Sequence, residues 1–246
     1  MELPNAWLEN VRDRTRGIRN EERDPYYQIL AAARTADPQA LRAAGRETAA
    51  AAERAFRADP GNKRRKFSLF AELARQPGPL RGRPVTLHGY IQRLESFEAG
   101  ENDEGLTTLH QAYLFTGDSL QSPYVVVCSE LTPGIPIPSK GQPTNDIFVS
   151  GYFFKLWSYD AERGTWAAPL ILAHTLEWHP RPIPLTSRAS FKGSLAAGLA
   201  LTLLLIAYWL RRQRLEVSRL REARLDSPTQ LSNNDLAQLE RMNDVP

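Results

Sequence analysis

The hydrophobic period of the chain changes across the stretch QPGPLRGRP at 76–84, and that change separates two kinds of structure. After it, in RPVTLHGYIQRL, Val85, Leu87, Gly89 and Ile91 alternate with Thr86, His88, Tyr90 and Gln92, the period of a half-buried strand. Segments of the same character follow at 106–115, 122–130, 145–157 and 166–178, separated by the turn-rich stretches EAGENDEG, TGD and DAERG. TPGIPIPSKGQPT holds four prolines and is excluded as a central strand. Five strands in succession, with a glycine inside the first, predict a small closed barrel. An OB-like barrel is the first choice, because its long first strand bends at a glycine or bulge. An SH3-like barrel or an antiparallel sandwich is the alternative, and in the OB-like reading the proline-rich loop replaces the helix that precedes the fourth strand.

Before the change of period the chain reads as helical. Asp24-Pro25 and Asp37-Pro38 each set an N-cap acceptor ahead of a proline suited to a first helical turn. The segments YYQILAAAR and QALRAAGRETAAAAERAFRA follow them, the second rich in the best helix former. Asp59-Pro60-Gly61 interrupts the pattern, and KFSLFAELAR then carries Phe67, Leu69, Phe70 and Leu73 as an apolar stripe.

Beyond the barrel lies an uncharged run from Gly193 to Leu210, eighteen residues long, near the lower limit for a bilayer span. Tyr208 and Trp209 end it where interfacial aromatics belong, and Arg211, Arg212 and Arg214 follow at once. The excess of arginine after the run places the tail in the cytoplasm and the barrel outside. The first twenty-five residues contain no apolar signal segment, so this topology carries the expectation that Met1 is not the true start.

Charge is divided unevenly. Residues 1–80 balance at +4, residues 81–180 at −5 and residues 181–246 at +4. An acidic barrel opposes phosphate binding, so its aromatics (Tyr90, Tyr113, Phe115, Tyr152, Phe154, Trp157 and Tyr159) do not add up to a nucleic-acid groove. A single cysteine, Cys128, excludes an intrachain disulfide and a zinc knuckle. GxSxG, HExxH, Walker A and GxGxxG are all absent, and ENDEG lacks the ligand spacing of a calcium loop. KRRK at 63–66 reads as a solvated charge run. No enzyme activity, metal or cofactor is expected.

His174 is the residue that most invites a ligand. Strand alternation puts it on one face with Leu170, Leu172 and Leu176, where an imidazole is either a ligand or a rim histidine satisfied by the backbone. The segments DIFVSGYFF and APLILAHTLEWHP resemble the last two strands of the periplasmic haem chaperones of cytochrome c maturation, which are anchored OB-folds. In that family the histidine stands in LAKH, whereas here it comes one residue early, in LAHT, and a one-residue shift reverses the face of a strand. The resemblance therefore implies the fold and does not carry over the haem ligand. LRGRPVTLHGYIQRL together with VSGYFFKLWSYDAERGTWAAPLILAHTLEW also resembles uncharacterised membrane-anchored proteins of planctomycete-type bacteria. The shared elements are Gly89, GYFFK at 151–155 and APLILA at 168–173, and they imply structure rather than activity.

The expected chain is α+β: a helical region (1–78), a five-stranded OB-like barrel (79–180), a linker (181–192), one transmembrane helix (193–210) and a polar tail (211–246). Its expected role is a non-catalytic, membrane-anchored binding or scaffolding module of the bacterial envelope, contacting the lipid bilayer and another envelope protein. A carrier of haem, metal or a glycan is the second expectation, with His174, Tyr152, Phe154 and Trp157 as candidate contacts. A membrane-tethered nucleic-acid binder is the third, and the charge of the barrel argues against it.

Overall fold

Asp37 accepts a hydrogen bond from the Gln39 amide (3.1 Å), and Pro38 supplies the first turn of the helix that follows. That cap opens α2 (Pro38–Ala58), the longest helix among the residues that this computed structural model describes, which are 3–161, 164–180, 201–209 and 211. The others in the first part of the chain are α1 (Asn20–Thr35), α3 (Leu69–Arg75) and the short α4 (Pro77–Leu80). A two-residue strand, β1 (Thr15–Arg16), precedes them. The five predicted strands are all present, as β2 (Pro84–Glu98), β3 (Thr108–Thr116), β4 (Tyr124–Leu131), β5 (Thr144–Ala161) and β6 (Gly164–Trp178).

β2 pairs with β3, β3 with β4, β4 with β6, β6 with β5, and β5 again with β2, so the sheet closes on itself. Within that ring only β4 and β6 run parallel. The result is a closed five-stranded barrel whose order is consistent with the OB-like expectation. Gly89 sits where β2 coils against β3. A Cβ at this position would lie 1.9 Å from the Phe115 carbonyl oxygen, so no other residue fits without moving the backbone.

Two bulges redirect side chains. Between the pairs Phe153↔Ile171 and Lys155↔Leu170 the fifth strand has one residue too many, and between Val149↔Leu176 and Gly151↔Ala173 the sixth does. Phe153 and Leu156 consequently face the interior, while Phe154 lies on the outer side with Tyr152. The interior is filled by Val85, Leu87, Ile91, Leu114, Val126, Cys128, Ile147, Val149, Ile171 and Leu176, and Leu69 and Leu73 of α3 join them. Burial pushes the Cys128 thiol up to about 12, so it is held as an inert hydrophobe.

The helices are pressed onto the barrel. Tyr26, Ile29, Leu30 and Ala33, one stripe of α1, join Val125, Val127, Leu170, Leu172, Tyr152 and Phe154 on the outer face. Ile29 and Leu30 are wholly buried, and each contributes about 2 kcal/mol on transfer from water. Gly45 lets α2 approach the sheet: a Cβ there would stand 2.6 Å from the Val85 carbonyl carbon. Residues 1–181 group as one unit, so helices and barrel share a core.

One expectation needs correction. α1 begins at Asn20, not after Asp24-Pro25, and Pro25 lies inside it. The earlier start follows from Glu22, whose carboxylate reaches back to the Arg19 amide at 2.9 Å and caps the helix upstream of the proline. The expected membrane span is described only in part. Residues 201–209 are helical, with Leu201, Leu203, Leu204, Leu205, Ile206, Tyr208 and Trp209 exposed, and residues 193–200 and 210 of the expected span lie outside the described residues. Among the described residues no helix is long and apolar enough to cross a membrane. Arg211 is described, helical and exposed, while Arg212 and Arg214 lie outside.

Gly89→Ala drives a methyl group into the β3 backbone and should lower stability by about 3 kcal/mol or prevent folding. Urea denaturation of the two proteins, followed by far-UV circular dichroism, measures the difference.

Candidate binding face of the barrel

With α1 over β4, β5 and β6, and α2 over the start of β2, the middle of β2 and its neighbours keep an open outer face. Alternation along β2 places His88 and Tyr90 there, about 7 Å apart. His88 stacks on Phe148 of β5 (centroids 4.1 Å apart, 12° between planes), and His179 stands edge-on to the other side of that cluster (5.3 Å, 86°). Tyr90 stacks on Phe115 of β3 (5.5 Å, 14°), and the Arg93 guanidinium lies over Tyr113 (5.6 Å). A strip of rings therefore runs from β5 across β2 to β3.

Its one described cation, Arg93, is paired with a carboxylate, and a second carboxylate stands beside His88. Asp146 holds a left-handed backbone (φ 58°), and its carboxylate lies 3.6 Å from His88 Nε2 while its carbonyl accepts the His179 amide (3.0 Å). Glu95 binds Arg93 (2.6 Å), whose pKa that hydrogen bond raises. Gln92 and Gln111 lie on the flanks, and a cavity of about 270 Å³ lined by Phe67, Thr86, His88 and Asp118 borders the strip. Flat rings with amides and few free cations suit planar or apolar side chains of a partner. They do not suit phosphate.

The four ligand contacts expected from sequence lie elsewhere and are not brought together on an open surface. Tyr152 and Phe154 are buried beneath α1, Trp157 is half-buried and tilted against Tyr159 (6.3 Å), and His174 is at the β6 bulge. That bulge separates His174 from Leu176, which turns into the barrel while Leu170 and Leu172 stay outside. Ser129 Oγ lies 3.0 Å from His174 Nδ1 and donates to its carbonyl (3.2 Å), so the serine ties β4 to the bulge. Glu130, 3.7 Å from His174 Nε2 and exposed, is too distant to complete a catalytic relay. The cavity that His174 lines measures about 60 Å³, far below the hundreds of Å³ that enclose a small molecule. Among the described residues no group of three or more His, Cys, Asp or Glu side chains is placed to hold a metal ion.

Sequence reasoning missed the most unusual polar group. Lys155 is completely buried, turned outward beside Phe154 at the β5 bulge. Its ammonium donates to Glu22 Oε2 (2.5 Å), Thr15 Oγ1 (2.8 Å) and the Gly17 carbonyl (2.9 Å). Glu22, equally buried, also accepts the Arg12 amide (2.8 Å) and the Arg19 amide. All three ammonium donors are used, so the lysine is a structural tie rather than a nucleophile. The signal in the sequence was a lysine ending the apolar run GYFF, opposite a glutamate that opens a helix.

Burial alone would raise the Glu22 pKa, but the Arg19 amide, Lys155 and the Arg12 amide together hold it below the usual 4.5. For Lys155 burial wins, and its pKa is lowered in spite of Glu22. A carboxylate depressed by folding adds stability that is complete above its unfolded value and lost as pH falls through its folded one. Stability should therefore drop below about pH 4.5. Glu22→Gln leaves Lys155 unpaired, should cost about 3 kcal/mol at pH 7, and should flatten this acid limb. Urea midpoints between pH 3 and 8 check both expectations.

The sequence matches no known protein-family model, and no curated protein matches it.

Proposed function

We propose that the chain is a non-catalytic, membrane-anchored binding module of the bacterial envelope, in which an OB-like barrel presents its open aromatic face to another protein. The strip His179–Phe148–His88 with Tyr90–Phe115 is the observation that carries this reading. α1 covers the outer face of β4, β5 and β6 with apolar contacts, whereas the half-buried rings of this strip stack on one another. OB-like barrels bind through exposed strand faces, and aromatic residues are the favoured anchors of protein interfaces. The uncharged run 193–210, closed by Tyr208, Trp209 and Arg211, supports the anchor, and the arginines beyond it support a cytoplasmic tail.

Two other functions have less behind them. Haem or another small ligand would need His174 free and a larger cavity than the one it lines. Nucleic acid would have to approach a region with a charge of −5.

A photo-crosslinking amino acid placed at Tyr90 or Phe115 of the full chain in its native membrane should capture a defined protein adduct, and the same probe at Arg46 on α2 should not. Reporter fusions at both ends of the chain should place the barrel outside and the tail inside. Equal capture at 46 and 90, or no adduct at either, removes the proposal.

A further inference from the structure

Four cations in succession, Lys63, Arg64, Arg65 and Lys66, lie between α2 and α3, in a turn that is held firmly from within. Asn62 is buried and donates to the Phe56 carbonyl (3.2 Å), while Asp59 accepts the Gly61 amide (2.9 Å). Arg57 and Arg65 lie over the Phe56 ring at 5.9 and 5.8 Å, and Arg57 is paired with Glu53 (3.2 Å). The side chains of Lys63, Arg64 and Lys66 are exposed and have no hydrogen-bond or ion-pair partner among the described residues.

An apolar residue stands close to them. The loop from β3 to β4 is tied to the start of α3: Ser68 Oγ donates to the Asp118 carbonyl (3.0 Å), and Asp118 Oδ2 accepts the Phe70 amide (3.0 Å). Two residues further on, Leu120 is 77% exposed at φ 54°, a left-handed backbone that a leucine avoids. The fold therefore holds a large apolar side chain in water, where it loses the gain of burial. Negative charge is gathered at the other end of β3. The nine residues of that strand set about 27 Å between the Leu120 loop and the loop at 99–107, which carries Glu101, Asp103 and Glu104.

We propose that the turn 63–66 and Leu120 form a docking surface for an anionic phospholipid bilayer. The cations lie on the headgroup phosphates, and the leucine enters the headgroup region between them. The exposed leucine selects lipid over other polyanions, because only a bilayer offers hydrocarbon directly beneath its phosphates. The acidic loop, at the opposite end of β3, is kept away from the negative surface. The choice of a bilayer rests on the reading of 193–210 as an anchor, which keeps residues 1–181 at a membrane, and makes no use of the aromatic strip.

The test uses the full chain in nanodiscs of phosphatidylcholine, alone or with about 30% phosphatidylglycerol to make the surface negative. An environment-sensitive fluorophore is attached through Leu120→Cys or, for comparison, Asp103→Cys, and buried Cys128 does not compete for it. The label at 120 should shift to the blue and brighten about twofold in the anionic discs only, and about 0.5 M salt should reverse the change. Lys63→Glu, Arg64→Glu and Lys66→Glu together should abolish the response without altering far-UV circular dichroism. The proposal is overturned if the label at 120 responds equally in both discs or in neither, if the label at 103 responds as strongly, or if the triple variant keeps the response. A chain that enters neither disc contradicts the anchor alone. Flotation of that chain with vesicles of the same two compositions then decides: capture by the anionic vesicles that the triple variant loses supports the surface, and no capture overturns it.

Discussion

A buried ammonium cannot be left without acceptors, and Lys155 is wholly removed from water. Its needs dictate the arrangement of everything on that side of the barrel. Thr15 and Gly17 must pass within hydrogen-bonding distance, which fixes the path of the N-terminal strap (residues 3–19), whose Asp13 accepts the Leu156 amide, and Glu22 must open its helix there, which fixes the start of α1. From that start, the stripe of Tyr26, Ile29, Leu30 and Ala33 lands on the outer face of β4, β5 and β6. The aromatic strip around β2 remains open because α1 is committed elsewhere. Apolar contact supplies most of the energy of this packing, and the ion pair supplies its position.

How the fold reads from sequence follows from the kind of signal each part leaves. Alternation from Val85 to Ile91 is local and survives in the structure, and so is the capping role of Asp37 ahead of Pro38. Closure of the barrel was inferred from the number of strands and from Gly89, whose crowding against Phe115 shows why a glycine stands there. Bulges leave no such trace. Simple alternation placed His174 with Leu176, and a single extra residue in β6 parts them. The same blindness hid Lys155, which a second bulge turns toward Glu22, 133 positions away. Local pattern predicts elements, but the pairing of distant polar groups depends on register.

The candidate contacts divide in the same way. Tyr90 and Phe115 stand in the sequence only as two of the barrel's aromatics, and they stack half-buried on the open face. Tyr152 and Phe154 looked equivalent in the sequence and are covered by α1. What separates the two pairs is the landing site of a helix, a tertiary event that composition does not encode. In this account the barrel keeps one aromatic strip free of helices, while the chain's own N-terminal segment closes the far part of β5.

The central claim is that the Glu22–Lys155 pair positions α1 and the strap rather than supplying the bulk of stability. A double-mutant cycle of Glu22→Leu and Lys155→Met, read by urea denaturation and by exchange of the Leu156 amide, tests it most directly. Each single variant should lose about 3 kcal/mol or more, because it buries an unpaired charge. The double variant should recover most of that loss while Leu156 exchanges faster than in the unaltered protein, since the Thr15 hydroxyl and the Gly17 carbonyl have lost the ammonium that donates to them. If the two losses simply add, or if the double variant keeps the strap as well protected as before, the pair does not hold the position assigned to it.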